Sequence, residues 1–564
     1  MRRLFLSVIP DDFSVKHDVV LGPWCFLERE ESFPNWENLN FSPDPFSTPQ
    51  EMIQATQQCI FLTETLLPFF SQILNGRNSI KFSQKFWRVL LFPWLFQLIE
   101  NTWERELRIQ KFFEDHPQEP FEVTLVSDTI EWNFLNTADF DNFTLSPVFE
   151  WWLFSRILEK YDISSWKVSY VAVNISPTVN PPPLEKPLKF FFREKIFSRF
   201  FQRCNKVYGF SWWVSVLFSI FLSIKPPQKR INIKKTGLLK PSLNLNSRMD
   251  FFKLGMKTLP RIFLDIKPLL PNPKRGKKGK LQLIGPLLFN SEKDKIKIAF
   301  SEEKGENVIV TQHGGGYGTS QIFPIASEIE FKHFAFLSWG WRRQEDYLGN
   351  IIPLPSPFLS QFSGKHKKRN EVLIEVGNKM NLFLFRLQSN LLQSNEQIRY
   401  RKSKEQFFNQ ISPHIFRNTL YRPYPEGPGC LKDISFFKRK FPNLQICEGN
   451  LHSQLLECKL AVIDHPGTTL NISLAANCPT ICFWEPKAFH MCRQSSHLFE
   501  NFKKCGILFE NGALAARKVN EIWENVQDWW QTKEIQMARL DWCHQYALTS
   551  KFWWIDWIKF LWNL

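Results

Sequence analysis

No Cys-x-x-Cys pair occurs in this sequence. Its eleven cysteines are scattered over 564 residues, whereas zinc frameworks usually draw their ligands in two tight pairs. Cys478 and Cys482 lie four apart and Cys492 follows His490, but neither spacing makes such a framework. No metal site is therefore expected, and the cysteines read as reduced core residues of a chain in the cytoplasm. Long hydrophobic runs are lacking too. The longest uncharged stretch, Val207 to Ile224, stands at the lower length limit for a membrane span. Its serines and the adjoining "KPPQKR" fit a buried strand followed by a helix. The opening "MRRLFLSVIPDDF" has two arginines, a short apolar run and early acids, which is not the pattern of a secretory leader. No internal repeat is visible.

Acidic residues are in short supply. With 71 Lys and Arg against 55 Asp and Glu, the net charge is +16, which favours anionic partners: phosphorylated substrates or an acidic membrane surface. Much of the excess sits in Lys225–Lys235 and Pro273–Lys280. Both runs contain Pro or Gly and read as exposed linkers. Aromatic residues are not interleaved within them, as a base-stacking surface would require, so no nucleic-acid partner is expected. The length calls for two or three domains, and 43% hydrophobic residues supply the cores.

Residues 50–110 carry long helical patterns, in which the Trp and aliphatic spacing marks a buried face. "VSYVAVNI" reads as a strand, and Pro and Lys thicken into a linker region between 225 and 280. From about 285, short apolar runs ("NVIVTQ", "HFAFLSW", "EVLIEVG", "LAVIDH", "PTICFW") alternate with helical segments. Alternation of this kind predicts a parallel, doubly wound sheet. Ligands of such sheets bind outside the carboxyl ends of the strands.

Two loops fall there. In "QHGGGYG", glycines at 314, 315, 316 and 318 follow a strand and flank His313 and Tyr317. Glycine lets backbone N–H groups approach a ligand closely, and an imidazole exchanges protons near neutral pH. Glu328, in "ASEIE", is a candidate to orient that base or accept substrate hydroxyls. In "DHPGTTLNISLAANCPTICFW", the His465–Thr469 loop brings Gly467, Thr468 and Thr469 to a helix start, where free N–H groups and the helix dipole attract anions. Arg417 and Arg422 lie between the loops as candidate phosphate or carboxylate contacts.

Together, "LGPWC" (21–25), "ETLLPFFSQILNGRNSIKFSQKFWRVLLFPWL" (64–95), "QHGGGYG", "LSWGW" (337–341), "RPYPEG" (422–427) and the "DHPGTT" segment resemble the family of surface-carbohydrate, or O-antigen, biosynthesis transferases. The resemblance runs in order over nearly the whole chain. It implies an α/β, GT-B-type fold of two Rossmann-like halves with a helical insertion near the N-terminus and a helical tail. The boundaries would be 1–285 on the acceptor side, 286–530 on the donor side, and 531–564 as helices packing back on the first half.

The implied reaction moves a sugar from a nucleotide-sugar donor, which is a substrate and leaves no separate cofactor to expect, to a lipopolysaccharide-type glycan or lipid-linked acceptor, with peripheral contact at the inner membrane. By the same resemblance, His313 is the base or donor-phosphate contact and Gly314, Gly315, Gly316 and Tyr317 form the loop against the donor. Arg422 meets the diphosphate, and Thr468 and Thr469 cap it. A weaker likeness reaches enzymes that transfer CDP-linked alditol phosphates or CMP-Kdo sugars. This chain departs from the family pattern at Ile472 and Phe334, where the family tends to carry acids. Asn471 is a partial substitute for the ribose-binding Glu at 472. A non-catalytic membrane scaffold is the further alternative that these departures raise.

Overall fold

The computed structural model describes residues 1–173, 203–226, 247–272, 278–287, 291–342, 348–382, 387–388, 391–427 and 429–564. Most of both basic runs, at 227–235 and 273–277, lies outside the described residues.

Three sheets, every strand pairing of them parallel, organise the chain. The first holds β1 (Arg2–Phe5), β2 (Val19–Val20), β3 (Phe121–Val126) and β4 (Lys167–Val171) in the order β2-β1-β3-β4. The helical pattern of 50–110 becomes α1 (Pro49–Arg77) and α2 (Gln84–Asp115). A reciprocal cap starts α1: the Thr48 side chain accepts from the Glu51 N–H at 3.2 Å, and Glu51 reaches back to the Thr48 N–H, with Pro49 preset for the first turn. In α2, Trp87, Trp94 and Trp103 are all buried, so the tryptophan stripe is core. Arg105 forks onto Glu150 at 2.7 and 2.8 Å, and Glu104 pairs with Arg105 and Arg108, so these charges that α2 carries through the interior are compensated.

The second sheet runs in sequential order: β5 (Cys204–Asn205), β6 (Leu281–Ile284), β7 (Asn307–Thr311), β8 (Ala335–Ser338) and β9 (Asn350–Pro353). Its central strand β7 is β-branched and fully buried because both faces are covered. The stretch 207–224 mostly forms α3 (Trp212–Ile224) after β5, about 20 Å of helix. Among the described residues, no helix is long and apolar enough to cross a membrane.

The third sheet holds β10 (Leu373–Val376), β11 (Thr419–Arg422), β12 (Gln445–Ile446), β13 (Leu460–Ile463), β14 (Thr480–Phe483) and β15 (Leu508–Phe509), ordered β12-β11-β10-β13-β14-β15. Counted from β10 this is 3-2-1-4-5-6, the order of dinucleotide-binding sheets. Helix α4 (Ser394–Gln410) follows β10, and α5 (Thr468–Ala476) joins β13 to β14.

The tail then serves two sheets. Helices α6 (Arg493–Lys504) and α7 (Lys533–Tyr546) stay with the third unit, where Phe499 and Phe502 of α6 pack against Trp542 of α7. Helix α8 (Trp553–Asn563) packs on the second: Trp557 and Leu561 join Leu281, Ile309 and Leu337 in one core, and Trp557 Nε1 donates to the Pro355 carbonyl at 2.9 Å.

Candidate functional site

In the third sheet the strand order reverses between β10 and β13, which pair directly in parallel register. The crevice outside the carboxyl ends at such a reversal is where open α/β sheets bind ligands. The "DHPGTT" loop leaves β13 at this point. Asp464, fully buried, ends the strand and accepts from the Tyr400 hydroxyl of α4. That hydroxyl in turn accepts the Asn378 N–H at 2.7 Å, just past β10. Asp464 Oδ1 also bonds Nδ1 of His465 at 3.0 Å, fixing the ring against the loop. The imidazole lies over Gly467: a Cβ there would meet His465 Cδ2 at 2.8 Å and Nε2 at 2.9 Å.

Beneath the crevice runs a buried polar floor. Burial and the neighbouring Asp464 hold the Glu375 carboxyl of β10 well above the usual carboxylate range. Lys404 ion-pairs with Asp433 and donates to Tyr421 Oη at 2.9 Å, and Tyr421 donates to Asp433 at 2.7 Å. Buried charges persist only when paired in this way.

The "QHGGGYG" loop leaves β7 of the second sheet and meets the first loop head-on. The Gly315 N–H donates to Thr468 Oγ1 at 2.9 Å. A Cβ on Gly315 would stand 2.6 Å from the Gly467 carbonyl and 2.7 Å from the Thr468 nitrogen, so only glycine fits. Gln312 holds the loop in place. Its Oε1 accepts from the Trp339 N–H and from Trp341 Nε1, both at 2.8 Å, while its Nε2 donates to the Gly314 carbonyl at 2.7 Å. The "LSWGW" and "QHGGGYG" motifs are thus one unit.

His313 sits at the mouth of this junction, edge-on to Tyr317 (5.0 Å) and Tyr208 (6.4 Å). Burial pushes its imidazole down to about 4, so it is neutral at pH 7, with one ring nitrogen a donor and the other able to accept a proton or hydrogen bond. Tyr208, 37% exposed, leans on Phe358 and Trp339. Gln312, Asp464, Glu375, Tyr400 and Tyr208 did not stand out in the sequence. Only the reversal of strand order and the loop-to-loop contact reveal them.

The structure brings together His313, Gly314, Gly315, Gly467 and Thr468 at the junction, with His465 beside it and Gly316 and Thr469 one residue further along each loop. Other candidates lie elsewhere. Tyr317 turns inward, 2% exposed, and stacks on Phe336 at 5.4 Å. Glu328 is buried in a π-helical turn (Ala326–Phe331), paired with Arg88 of α2 at 3.3 Å and with Lys332. Asn471 is buried under the tail, accepting from Trp542 Nε1 at 2.9 Å. Arg422, part-buried at the end of β11, donates to the Cys447 carbonyl at 2.9 Å. Tyr424, Pro425 and Glu426 of "RPYPEG" line a narrow crevice with Asn378 and Asp433, near the end of β10. Ile472 and Phe334, each 2% exposed, belong to the main apolar core.

Residues 2–561 match the family model described as LIC12162 family transferase. The chain belongs to that family. No curated protein matches it. The activity is accordingly that of a transferase, and the parallel α/β sheets described above are its framework.

Gly315→Ala should cost at least about 1 kcal/mol more in urea unfolding than Gly314→Ala, because a Cβ on Gly314 meets only Thr468 Oγ1, at 3.4 Å. Equal costs would mean that the two loops do not touch in solution. For His313, a folded pKa below the ordinary value of 6.5 means that the unfolded chain binds the extra proton first. Its contribution is therefore constant above pH 6.5 and unfavourable as pH falls from 6.5 towards 4, to at most about 3 kcal/mol. His313→Gln should show a shallower loss of stability over that window, and parallel curves would refute the assignment.

Proposed function

We propose that this transferase moves a sugar from a nucleotide-sugar donor to a cell-surface glycan precursor of the O-antigen or lipopolysaccharide type. The observation that carries the reading is the meeting, at Gly315 and Thr468, of a strand-end histidine–glycine loop with the loop at the reversal point of a 3-2-1-4-5-6 sheet. In this reading the donor diphosphate lies against the start of α5, where unsatisfied N–H groups and the helix dipole favour anions. Gly314 to Gly316 supply close-approaching backbone, and Thr469 and His465 add polar contacts.

His313, neutral at pH 7, would accept the proton of the acceptor hydroxyl as general base, or donate a hydrogen bond to the donor phosphate. Arg422 would have to give up its Cys447 carbonyl to reach the diphosphate. The apolar Ile472 offers the ribose no hydrogen bond, so ribose recognition would fall to other groups, or the site would be inactive and the chain a membrane scaffold.

A lipid-linked acceptor suits the surface near α3. Trp213, Leu217, Ile220 and Ile224 stand exposed on one stripe of that helix, at i, i+4, i+7 and i+11. Trp562 of α8 is exposed beside it, with its ring 6.1 Å from Phe221. Exposed tryptophan and aliphatic side chains on a strongly basic chain fit an anionic bilayer interface.

The donor is tested by thermal stability against UDP, GDP, dTDP, CDP and CMP. A nucleotide at 100 times its dissociation constant should add about 2.7 kcal/mol, and Thr468→Ala should abolish the shift. Retained nucleotide binding in His313→Ala with turnover lost would assign the base role; lost binding would assign the phosphate contact. Preference for cytidine nucleotides would instead favour transfer of an alditol phosphate or a Kdo-type sugar. No shift with any nucleotide would favour the scaffold. Separately, flotation with vesicles containing anionic lipid should recover the protein at low salt and lose it in Trp213→Ser/Leu217→Ser. Unchanged recovery of that variant would remove the stripe from membrane contact.

A further inference from the structure

The segment joining the second and third sheets carries a feature unconnected with the cleft. Residues 364–369 zip along two turns of the third unit: the Gly364 and His366 N–H groups donate to the Ala475 and Ala476 carbonyls (2.9 and 3.0 Å), and those of Lys367 and Arg369 to Leu456 and Glu457 (2.8 and 2.9 Å). This brings His366 against Cys458, just before β13, and Cys478, between α5 and β14. One ring nitrogen and the two sulfurs all lie within 4.8 Å of one another. Both thiols are fully buried, and His366 is half-buried among exposed neighbours, which leaves a way in from solvent.

Cys458 Sγ and Cys478 Sγ are 3.7 Å apart. Two thiolates bound at about 2.3 Å to one tetrahedral zinc stand about 3.8 Å from each other. Two hydrogen-bonded thiols lie at a similar distance, so the imidazole is the discriminating group. Its Nε2 is 2.8 Å from the Cys458 carbonyl. A carbonyl only accepts, so Nε2 carries the hydrogen and Nδ1 keeps its lone pair. Metal-binding histidines are oriented in this way, one nitrogen held by a backbone carbonyl and the other free to ligate.

We propose that His366 Nδ1, Cys458 Sγ and Cys478 Sγ bind a thiophilic d10 cation, zinc in the first instance, which staples the inter-sheet segment to the third unit. Binding forms one metal–nitrogen and two metal–sulfur bonds and releases the thiol protons to solvent. Water from the His366 side completes the coordination, and no change of oxidation state occurs. The three ligands are 92 and 20 residues apart in sequence, which is why no local spacing announces the site.

The test uses the full-length protein, purified under reducing conditions and analysed for metal by mass spectrometry. About one equivalent of zinc is expected. After chelation, Co2+ should give a thiolate-to-cobalt charge-transfer band in the near ultraviolet, and affinity should fall by at least roughly 10-fold in His366→Gln and further in Cys458→Ser/Cys478→Ser. Should the double variant fail to fold, the wild type still decides: chelation should lower its melting temperature, and Zn2+, not Mg2+, should restore it. Stoichiometric Cu+ lost in the same variants would support the site with the other d10 ion. The proposal is overturned by a wild type with no bound thiophilic metal and no cobalt band, by a band that survives in the double variant, or by a native mass two hydrogens light, which signals a Cys458–Cys478 disulfide.

Discussion

Everything at the candidate site depends on one close approach: the backbone of Gly315 lying directly against the backbone of Gly467 and Thr468. Two sheets can present their carboxyl edges to each other at this distance because Gly315 and Gly467 carry no side chains there, and the Thr468 hydroxyl accepts the Gly315 N–H across the contact. The cost is entropic, because each glycine loses more freedom on folding than any other residue would. The result is a junction of closely approaching backbone beside a helix start, with His465 lying over Gly467; under the proposed function, charge on the donor would meet these fixed backbone dipoles.

A junction built on glycine needs support from behind, and the chain provides it twice. On the second sheet, Gln312 spends both ends of its amide on holding the glycine loop to Trp339 and Trp341, while the aromatic pack of Tyr317, Phe331, Phe336 and Trp341 fills the space beneath. On the third sheet the support is polar: Asp464, Tyr400, Glu375, Lys404, Tyr421 and Asp433 form a buried floor. The tail ties the arrangement together. Helix α7 rests on α5 through Trp542 and Asn471, and α8 seats Trp557 in the second sheet, so the last segment of the chain bridges the units that the junction joins.

Asn471 illustrates how a plausible site residue is claimed by structure. From its place in the helix after "HPGTT" it looks available to a ligand, yet one turn of helix aims it at the tail. Glu328 is similar: near the histidine loop in sequence, it is committed to Arg88 of α2. In both cases the partner is far away along the chain, and no local pattern discloses it.

The sequence by itself determined the strands β7, β8, β10, β13 and β14, the parallel α/β class, the buried tryptophan stripe of α2 and the two glycine loops of the candidate site, because each is written in local periodicity and in residues that only certain backbone geometries tolerate. What only the tertiary structure decided was the strand order that puts a reversal point beside His465, the contact of Gly315 with Thr468, the Gln312 hub, and the company kept by His366, Cys458 and Cys478. These depend on pairings between residues tens to hundreds of positions apart, and burial and hydrogen-bond satisfaction over the whole fold, rather than any local preference, select them.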